Sequence, residues 1–319
     1  MIYIQKVKLA VVGATGLVGQ TFLHILQENE EDYEIKLFAS SKSKGKRIKF
    51  NNKKYVVHVL NEESFNDVEY ACFFTNKDVS AKFIPIALSK GVKVIDNSSF
   101  FRMDKSVPLV VSGVNENLSL TNDLISNPNC CVIQSMVVIN ALKSLGIKEI
   151  FYNTYQSVSG SGKKGIDELT RCRKGLMPQF YESDISFTCI PKIGEIQDNL
   201  FTDEEQKLID ETKKILQADI VVAALCVRVP VMFSHGVSIM IKVAKDVEVK
   251  EIKKLLMRDK NIVLCEKISP TSVLSCKNDK VYVGRVRKVN DYVLLYCVAD
   301  NIRVGAANNA YQILKKITN

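Results

Sequence analysis

A short segment around two adjacent cysteines, Ser126-Asn127-Pro128-Asn129-Cys130-Cys131, carries the residue types expected at a nucleophilic site. The proline biases the residue before it away from helix, so the chain arrives extended and then turns. Apolar residues recur at helical spacing through 132–145 up to Gly146, which predicts a mostly buried helix with a glycine stop. Asn129 then falls at the N-cap and Cys130 on the first turn, where free N–H groups and the helix dipole favour a thiolate.

These residues alone leave two interpretations of Cys130 open. As a thiolate it is a candidate nucleophile, and the N–H groups of the first helical turn offer an oxyanion hole. As a thiol it is a small apolar core residue, because free cysteine is among the most buried residue types. Cys131 lies about 100° further round the helix. We expect it to point elsewhere and to belong to the core.

Length and composition limit the classes of protein to consider. A chain of 319 residues with 46% hydrophobic and 25% charged residues is typical of one large or two ordinary globular domains. Nine cysteines without CxxC pairs favour neither a disulfide framework nor a zinc site, so we expect no metal and a reducing cytoplasm. No membrane-spanning run or signal peptide is expected. The net charge of +9 is spread along the chain, which argues against nucleic-acid binding and suits anionic small substrates.

A glycine-rich turn near the start of the chain is a candidate cofactor site. It consists of Gly13-Ala14-Thr15-Gly16-Leu17-Val18-Gly19, directly after the apolar strand pattern of 8–12, and helical spacing begins at Leu17. A strand, glycines three apart and a helix form the context in which a helix N-terminus binds pyrophosphate. We therefore predict that residues 13–19 contact a dinucleotide. The spacing is GxxGxxG rather than GxGxxG, so the alternative is a glycine-rich turn without a ligand.

The turn after the second predicted strand, 33–39, bears on the choice of dinucleotide. An NAD site usually has Asp or Glu here to bind the ribose 2′-hydroxyl. This chain has Ser40-Ser41-Lys42-Ser43-Lys44-Gly45-Lys46 instead. Hydroxyls and lysines suit a 2′-phosphate, which predicts NADP in contact with Ser40, Ser41 and Lys42. The alternative is a solvated basic loop.

The first 125 residues alternate between strand and helix patterns. This alternation predicts a parallel, doubly wound α/β sheet of the Rossmann type with right-handed crossovers. The strand 92–96 ends in a polar stretch that includes Arg102. Arg102 can pair with a phosphate or a carboxylate at the ligand-binding edge of such a sheet. A lone arginine is also common on the surface.

Six motifs occur in order along nearly the whole chain. They are Gly13–Gly19, Val94-Ile95-Asp96-Asn97-Ser98-Ser99, Asn127-Pro128-Asn129-Cys130, Gln156-Ser157-Val158-Ser159-Gly160, Cys226-Val227-Arg228-Val229-Pro230-Val231 with His235 close behind, and Asp300-Asn301-Ile302-Arg303 followed by Gly305-Ala306-Ala307. With them the chain resembles the aspartate-β-semialdehyde dehydrogenase family, in the branch found in many Gram-positive and other bacteria. The resemblance implies NADPH-dependent reductive dephosphorylation of L-4-aspartyl phosphate to aspartate semialdehyde and phosphate, in lysine, threonine and methionine biosynthesis.

The resemblance also implies roles for residues of the second half. Cys130 would form a thioester, Gln156 would orient its acyl group, and His235 would move the proton. His235 is the only histidine near a motif, and imidazole suits proton transfer near neutral pH. A charge inside the apolar run 220–229 needs a partner. By resemblance, the partner of Arg228 is the substrate α-carboxylate.

The remaining substrate and cofactor contacts follow in the same way. Glu204 and Lys207 share a helix face, and without context they would form an ordinary surface pair. By resemblance Glu204 holds the substrate amino group, while Lys207 lies by the phosphate with Arg102 and Asn129. The loop with Ser159 and Gly160 would contact the nicotinamide end of NADP.

The second half of the chain predicts a separate α+β domain. We place the NADP-binding domain at 1–128 plus 302–319 and a catalytic and dimerisation domain, inserted before the C-terminal helix, at 129–301. The excursion 175–199 has little periodicity, and we expect it at a subunit contact. The resemblance implies a homodimer or homotetramer, with no nucleic-acid or membrane partner.

Several positions depart from the family pattern. Cys131 and Val132 stand where the family usually has Ser and then Thr, and Gly236-Val237 where it has Ser-Glu. One rival is N-acetyl-gamma-glutamyl-phosphate reductase, which shares fold and mechanism but typically has Asn-Pro-Gly-Cys-Tyr. The other is a catalytically inactive NADP-binding regulatory homologue. Retention of the cysteine, glutamine, arginine and histidine together argues against it.

Overall fold

The computed structural model describes residues 6–318. Residues 1–5, which begin the stretch without signal-peptide features, and residue 319 lie outside the described residues. The described chain forms two compact units: one runs up to Pro128 and includes the segment from Ala306 onward, and the other is Asn129–Gly305. None of the helices in residues 6–318 has the length and hydrophobicity needed to cross a membrane.

The strands and helices of residues 6–318 follow in chain order, and the bounds are those of the structure. They are β1 (Lys8–Val12), α1 (Leu17–Glu28), β2 (Glu34–Ala39), β3 (Arg47–Phe50), β4 (Lys53–Val59), β5 (Tyr70–Phe73), α2 (Lys77–Ser89), β6 (Lys93–Asp96), β7 (Leu124–Ser126), α3 (Cys130–Leu142), β8 (Ile147–Gln156), α4 (Gly162–Cys172), α5 (Asp203–Leu216), β9 (Val221–Arg228), β10 (His235–Val243), α6 (Val249–Met257), β11 (Ile262–Cys265), α7 (Ser272–Ser275), β12 (Val281–Val289), β13 (Tyr292–Ala299) and α8 (Asn309–Thr318).

The first unit is built on a sheet with the order β3-β4-β2-β1-β5-β6-β7. All neighbouring strands are parallel except the edge pair β3 and β4. Side chains of β1 alternate between two cores: Leu9 and Val11 pack with α1 and α8, and Ala10 and Val12 pack with α2. The predicted Rossmann-type doubly wound parallel sheet is confirmed.

The second unit contains a mixed sheet with the order β11-β12-β13-β10-β8-β9. Helix α3 packs against this sheet and is buried along nearly its whole length, as its apolar sequence predicts. A 3₁₀ turn at Lys143–Leu145 continues it to Gly146, whose φ of 74° ends it. The predicted second α+β unit, inserted before the C-terminal helix, is therefore confirmed.

Four elements were not predicted from the sequence: β3, β7, β11 and α7. Strand β3 alternates basic and apolar residues but is only four residues long, which is too short a run for alternation to identify a strand. Strand β7 has only three residues and is completely buried. The final helix begins with a π-helical turn at Arg303–Asn308 instead of regular α-helix. Short elements carry too few residues for periodicity to identify them.

Candidate active site

Cys130 is the first residue of α3 and is half-buried. Asn129 is the N-cap, and its side-chain oxygen accepts the N–H of Cys131 at 2.8 Å. This cap and the first-turn position of Cys130 confirm the prediction made from the segment's sequence. A buried apolar helix thus holds the sulfur at its positive end.

Strands β8, β9 and β10 place three polar side chains at one end of the sheet. Gln156 and Arg228 are direct partners in the parallel pair β8–β9, and Tyr155 pairs with Gly236 in β10. His235, the first residue of β10, therefore lies beside the end of β8. Gln156, Arg228 and His235 are all buried.

The sulfur atoms of Cys130 and Cys131 and a ring nitrogen of His235 lie within 4.8 Å of one another. The hydrogen bond from the Cys131 thiol, helped by the nearby His235 imidazole, holds the pKa of Cys130 well below its usual value and outweighs burial. Burial, reinforced by this hydrogen bond, raises the pKa of Cys131. Cys131 is buried as predicted. Its expected orientation was wrong, because its sulfur contacts that of Cys130.

A hydrogen-bond network fixes the His235 ring. The backbone N–H of Ser157 donates to Nδ1 at 3.0 Å, and the Ser157 hydroxyl lies at the same distance from Nδ1. Asn301 Oδ1 accepts from the hydroxyls of Ser157 and Ser159 and from the N–H of Ser234. Because Nδ1 accepts a backbone N–H, a neutral ring carries its proton on Nε2.

Ser157 and Asn301 were not among the predicted site residues, although both lie in quoted motifs. Their proximity to His235 was the missing information, since they come from positions 144 residues apart. Ser159, predicted to contact the cofactor, is buried with its hydroxyl in this network.

Helix α5 contributes a buried carboxylate beside the cysteine. Glu204 Oε1 accepts the side-chain amides of Asn129 at 2.8 Å and Gln156 at 3.1 Å, and Lys207 Nζ lies 3.4 Å from Oε2. Burial alone would raise the pKa of Glu204. The charge of Lys207 and the two amide hydrogen bonds outweigh it and lower the pKa to about 2. Glu204 is thus a carboxylate placed to bind a cation.

Arg228 is held in place by the backbone of the neighbouring strand end. Its Nη1 donates to the backbone carbonyl of Ser157 at 2.7 Å. Gly160 lies against the same group: a Cβ at this position would be 2.7 Å from Arg228 Nη1 and 3.1 Å from His235 Nε2. A residue without a side chain therefore lets the loop approach both functional groups.

Two N–H groups at the start of α3, where an oxyanion hole was expected, already donate hydrogen bonds to side-chain oxygens. The Asn129 N–H donates to Glu211 Oε2 at 2.6 Å, and the Cys131 N–H donates to the Asn129 side chain. Among the described residues, the buried His235 Nε2 has no hydrogen-bond partner. It is therefore a candidate donor to an oxyanion, if one forms on an acyl group attached to Cys130.

The candidate cofactor residues belong to the other compact unit. Gly13 has φ +85°, and a Cβ there would lie 2.2 Å from the carbonyl oxygen of Phe74. A Cβ on Gly19 would lie 2.4 Å from the carbonyl oxygen of Gly13. Gly16 is the N-cap of α1, with no side-chain cap and no acidic residue in the first turn. This backbone-lined helix start, without an acidic residue, fits a pyrophosphate.

The lysine-containing turn is connected to this glycine loop. Ser41–Ser43 forms a 3₁₀ turn with Ser40 at its N-cap and Lys42 within it. The hydroxyl of Ser43 lies 3.2 Å from that of Thr15. Hydroxyls and lysine at the end of β2 therefore lie beside the predicted dinucleotide loop and suit a 2′-phosphate.

Arg102, in the same unit, follows the polar stretch after β6. Its Nη2 donates to the carbonyl oxygen of Asn97 at 2.9 Å, and the side chain is mostly buried. Asp96, at the end of β6, accepts from Ser80 and from Ser98. Burial raises the pKa of Asp96.

Comparison with known proteins covers both units. Residues 8–120 match the family model "Semialdehyde dehydrogenase, NAD binding domain", and residues 139–304 match "Semialdehyde dehydrogenase, dimerisation domain". Aspartate-semialdehyde dehydrogenase of Campylobacter jejuni is 38% identical to this chain, over 98% of this chain and 97% of its own length. The chain belongs to the aspartate-semialdehyde dehydrogenase family. The Bacillus subtilis relative of the same name is 37% identical over 97% of this chain and 95% of its own length.

A solved structure of a related protein resembles this chain over nearly its full length. Aspartate semialdehyde dehydrogenase II of Vibrio cholerae, complexed with ASA, has a TM-score of 0.94 and 38% sequence identity. The likeness covers 98% of each chain. The predicted family and fold are therefore confirmed together.

One departure from the family pattern has a structural counterpart. Gly236 follows His235, and a Cβ at Gly236 would lie 1.7 Å from the hydroxyl oxygen of Tyr296. The Tyr296 ring thus occupies the space that a side chain at this position would need. This chain therefore has glycine where the family usually has serine, and the ring of Tyr296 on β13 fills the space.

Proposed function

We propose that this chain catalyses the NADPH-dependent reductive dephosphorylation of L-4-aspartyl phosphate to L-aspartate 4-semialdehyde and phosphate. The observation that carries the proposal is Cys130, a thiol of lowered pKa whose sulfur lies within 4.8 Å of a ring nitrogen of the buried His235. Curated relatives named for this activity and the Vibrio cholerae structure complexed with ASA support it. The proposed role is in lysine, threonine and methionine biosynthesis.

The substrate is held by charges of opposite sign. The Glu204 carboxylate binds its ammonium group, and Arg228 binds its α-carboxylate. Lys207, Asn129 and Arg102 bind the phosphate. Support comes from the hydrogen-bonded contact of Glu204 with Asn129 and from the proximity of Lys207 to Glu204. A cationic and an anionic anchor select an amino acid over a simple acyl phosphate.

The Cys130 thiolate attacks the acyl-phosphate carbonyl carbon, and the C–O bond to phosphate breaks, leaving a thioester. Gln156, held by Glu204 and Thr154, orients the acyl group. NADPH supplies a hydride when bound. An oxyanion forms when the thioester carbon accepts the hydride, and His235 Nε2–H shares its proton with that oxyanion through a hydrogen bond. The carbonyl then re-forms and the C–S bond breaks, which releases the aldehyde and the Cys130 thiolate and leaves the proton on Nε2.

We propose NADP as the cofactor. Gly13, Ala14, Thr15, Gly16, Leu17, Val18 and Gly19 receive the pyrophosphate, Ser40, Ser41 and Lys42 receive the 2′-phosphate, and Ser159 and Gly160 lie toward the nicotinamide. The contact of Thr15 with Ser43 supports the first two sites, since it connects the glycine loop with the lysine turn. Accordingly, 1–128 plus 302–319 is the NADP-binding domain and 129–301 the catalytic and dimerisation domain.

We further propose a homodimer, or a homotetramer built from it, in the cytoplasm. One face of the second sheet carries exposed apolar side chains, Tyr155, Val221 and Leu225, the last being 46% exposed. A solvent-exposed apolar sheet face is typical of a subunit interface. Leu225→Lys should shift the sedimentation coefficient toward the monomer, whereas Lys53→Ala, at an exposed position of β4 in the other unit, should not. An unchanged coefficient in Leu225→Lys would place the interface elsewhere.

The activity is tested by phosphate-dependent reduction of NADP with aspartate semialdehyde. We expect turnover with NADP that exceeds turnover with NAD and is lost in Cys130→Ala. Turnover of N-acetylglutamate semialdehyde instead would favour the neighbouring N-acetyl-gamma-glutamyl-phosphate reductase. A folded wild type that binds NADP without turnover would favour the regulatory homologue. Neither rival is favoured by the relatives found.

A further inference from the structure

Two adjacent thiols meet at the start of α3. The Cys131 thiol donates a hydrogen bond to the Cys130 sulfur, and the two atoms lie within 4.8 Å of each other. Cys131 is fully buried, whereas Cys130 is half-buried. One sulfur is thus partly accessible and belongs to a thiol of lowered pKa, and the second lies close to it in the interior.

These thiols are unsuited to an ordinary disulfide. Adjacent Cα atoms are about 3.8 Å apart, below the roughly 4.4 Å minimum of disulfide geometry. Both residues also belong to the first turn of a helix, where the Cys131 N–H is engaged by Asn129. Oxidation to a bond between them would have to unwind this turn. The stable form of the pair is therefore the dithiol.

A tetrahedral metal ion fits this site poorly, although His235 is close to both sulfurs. The Nδ1 atom of His235 accepts the N–H of Ser157, so the neutral ring has its proton on Nε2. A protonated Nε2 offers no lone pair to a metal. Zinc prefers four ligands, and here two sulfurs are the ligands at hand.

We propose that Cys130 and Cys131 form a dithiol site that binds trivalent arsenicals. Thiolate sulfur is the soft ligand that such a soft centre prefers, and a monosubstituted arsenical needs just two sulfurs in pyramidal geometry. Cys130 attacks arsenic first, and Cys131 closes a ring through the short stretch of backbone between them. Because the second bond forms within the molecule, the chelate is far more stable than a single As–S bond.

The chemistry balances without an oxidant. Phenylarsine oxide has one As=O group; two As–S bonds form, and the oxygen leaves as water. One proton of that water comes from the Cys131 thiol and the other from the Cys130 thiol or, when this is already a thiolate, from solvent. Arsenic stays trivalent, and neither sulfur is oxidised.

The test is titration of the full-length protein with phenylarsine oxide, read out by intact mass and by the number of titratable thiols. We expect one phenylarsenic group per chain, loss of two thiols, and an adduct that survives excess 2-mercaptoethanol but is removed by 2,3-dimercaptopropanol. These readouts do not depend on the proposed enzymatic activity. Failure of that activity would therefore leave the test intact.

Two variants make the result specific to this pair. Cys131→Ser should weaken arsenical binding about 100-fold or more, and its adduct should be removed by 2-mercaptoethanol. Cys189→Ser, which removes an exposed thiol, should behave like wild type. Thermal unfolding of each variant establishes that it is folded. If Cys131→Ser does not fold, Cys131→Ala takes its place in the test.

Three outcomes would overturn the proposal. One is an adduct that 2-mercaptoethanol removes from wild type as easily as from Cys131→Ser. Another is an adduct that resists excess 2-mercaptoethanol in Cys131→Ser as it does in wild type. The third is tight Cd²⁺ binding that requires His235, together with no chelated arsenical, because it would show that the three-ligand metal site forms instead.

Discussion

The Glu211 carboxylate accepts the backbone N–H of Asn129 at 2.6 Å, and it does so in the protein interior, where Glu211 is 1% exposed. Asn129 thereby has its backbone and side chain bound to the same helix, α5, since Glu204 accepts its side-chain amide. The residue that caps the cysteine helix is fixed from α5. Geometry at Cys130 therefore depends on two buried carboxylates.

Replacing Glu211 tests this dependence. Glu211→Leu leaves the Asn129 N–H without its acceptor, and we expect the free energy of unfolding to fall by about 1–3 kcal/mol. Glu211→Gln keeps an oxygen acceptor and should lose less. Urea denaturation measures both. Equal losses in the two variants would mean that the charge, rather than the hydrogen bond to Asn129, is what matters.

The acidity of Cys130 depends on its neighbour. The Cys131 hydrogen bond lowers the Cys130 pKa, so the thiolate should persist, and alkylation by iodoacetamide should continue, at pH values where an ordinary thiol is protonated. In Cys131→Ala this donor is lost and the pH profile of alkylation should move upward. Cys131→Ser keeps a hydroxyl donor and should stay closer to wild type.

Alkylation at position 130 has to be followed by peptide mass, because the chain has other thiols. His235 and Glu204 also act on the Cys130 pKa, in opposite directions, and both are unchanged in the two variants. Identical profiles for wild type and Cys131→Ala would contradict the role assigned to the Cys131 thiol.

Gly160 offers a test of the packing around two groups of the proposed site, Arg228 and His235. A methyl group there would lie 2.7 Å from Arg228 and 3.1 Å from His235, so Gly160→Ala should displace both. A displacement of about 1 Å can cost about 100-fold in rate, and we expect a loss of this order in kcat/KM. Ser161→Ala, one residue further, should retain most activity. Near-normal activity of Gly160→Ala would show that the loop can move aside.

The lysine turn should set the preference between the two dinucleotides. Lys42→Ala should raise KM for NADP about 10- to 100-fold, as expected for a lost charged hydrogen bond to phosphate, while KM for NAD stays nearly constant. Lys49→Ala, in the neighbouring β3, is the matched control. If Lys42→Ala raised KM for NADP and for NAD by the same factor, Lys42 would not bind the 2′-phosphate.

Local features of the sequence were sufficient for part of this structure. The cap at Asn129 involves residues only two apart, so spacing alone identified it. The Rossmann-type sheet followed from alternating strands and helices. These features depend on interactions within one element or between successive elements.

Long-range relationships in the site were not accessible in this way. The partner of Arg228, the Ser157 carbonyl, depends on the parallel register of β8 and β9. The orientation of the Cys131 side chain depends on its rotamer. The rotation of about 100° per residue along the helix does not determine that rotamer. Glu211 lies 82 residues after Asn129 in the sequence. Periodicity does not reveal contacts of this kind.

The most direct test of the central claim, a thioester on Cys130, is a rapid-mixing measurement without phosphate. Aspartate semialdehyde and NADP should give a burst of NADPH of at most one per chain and then stop, because the acyl group stays on the sulfur until phosphate is added. Cys130→Ala should show no burst. Continuous NADPH formation without phosphate, or a burst that persists in Cys130→Ala, would contradict the account.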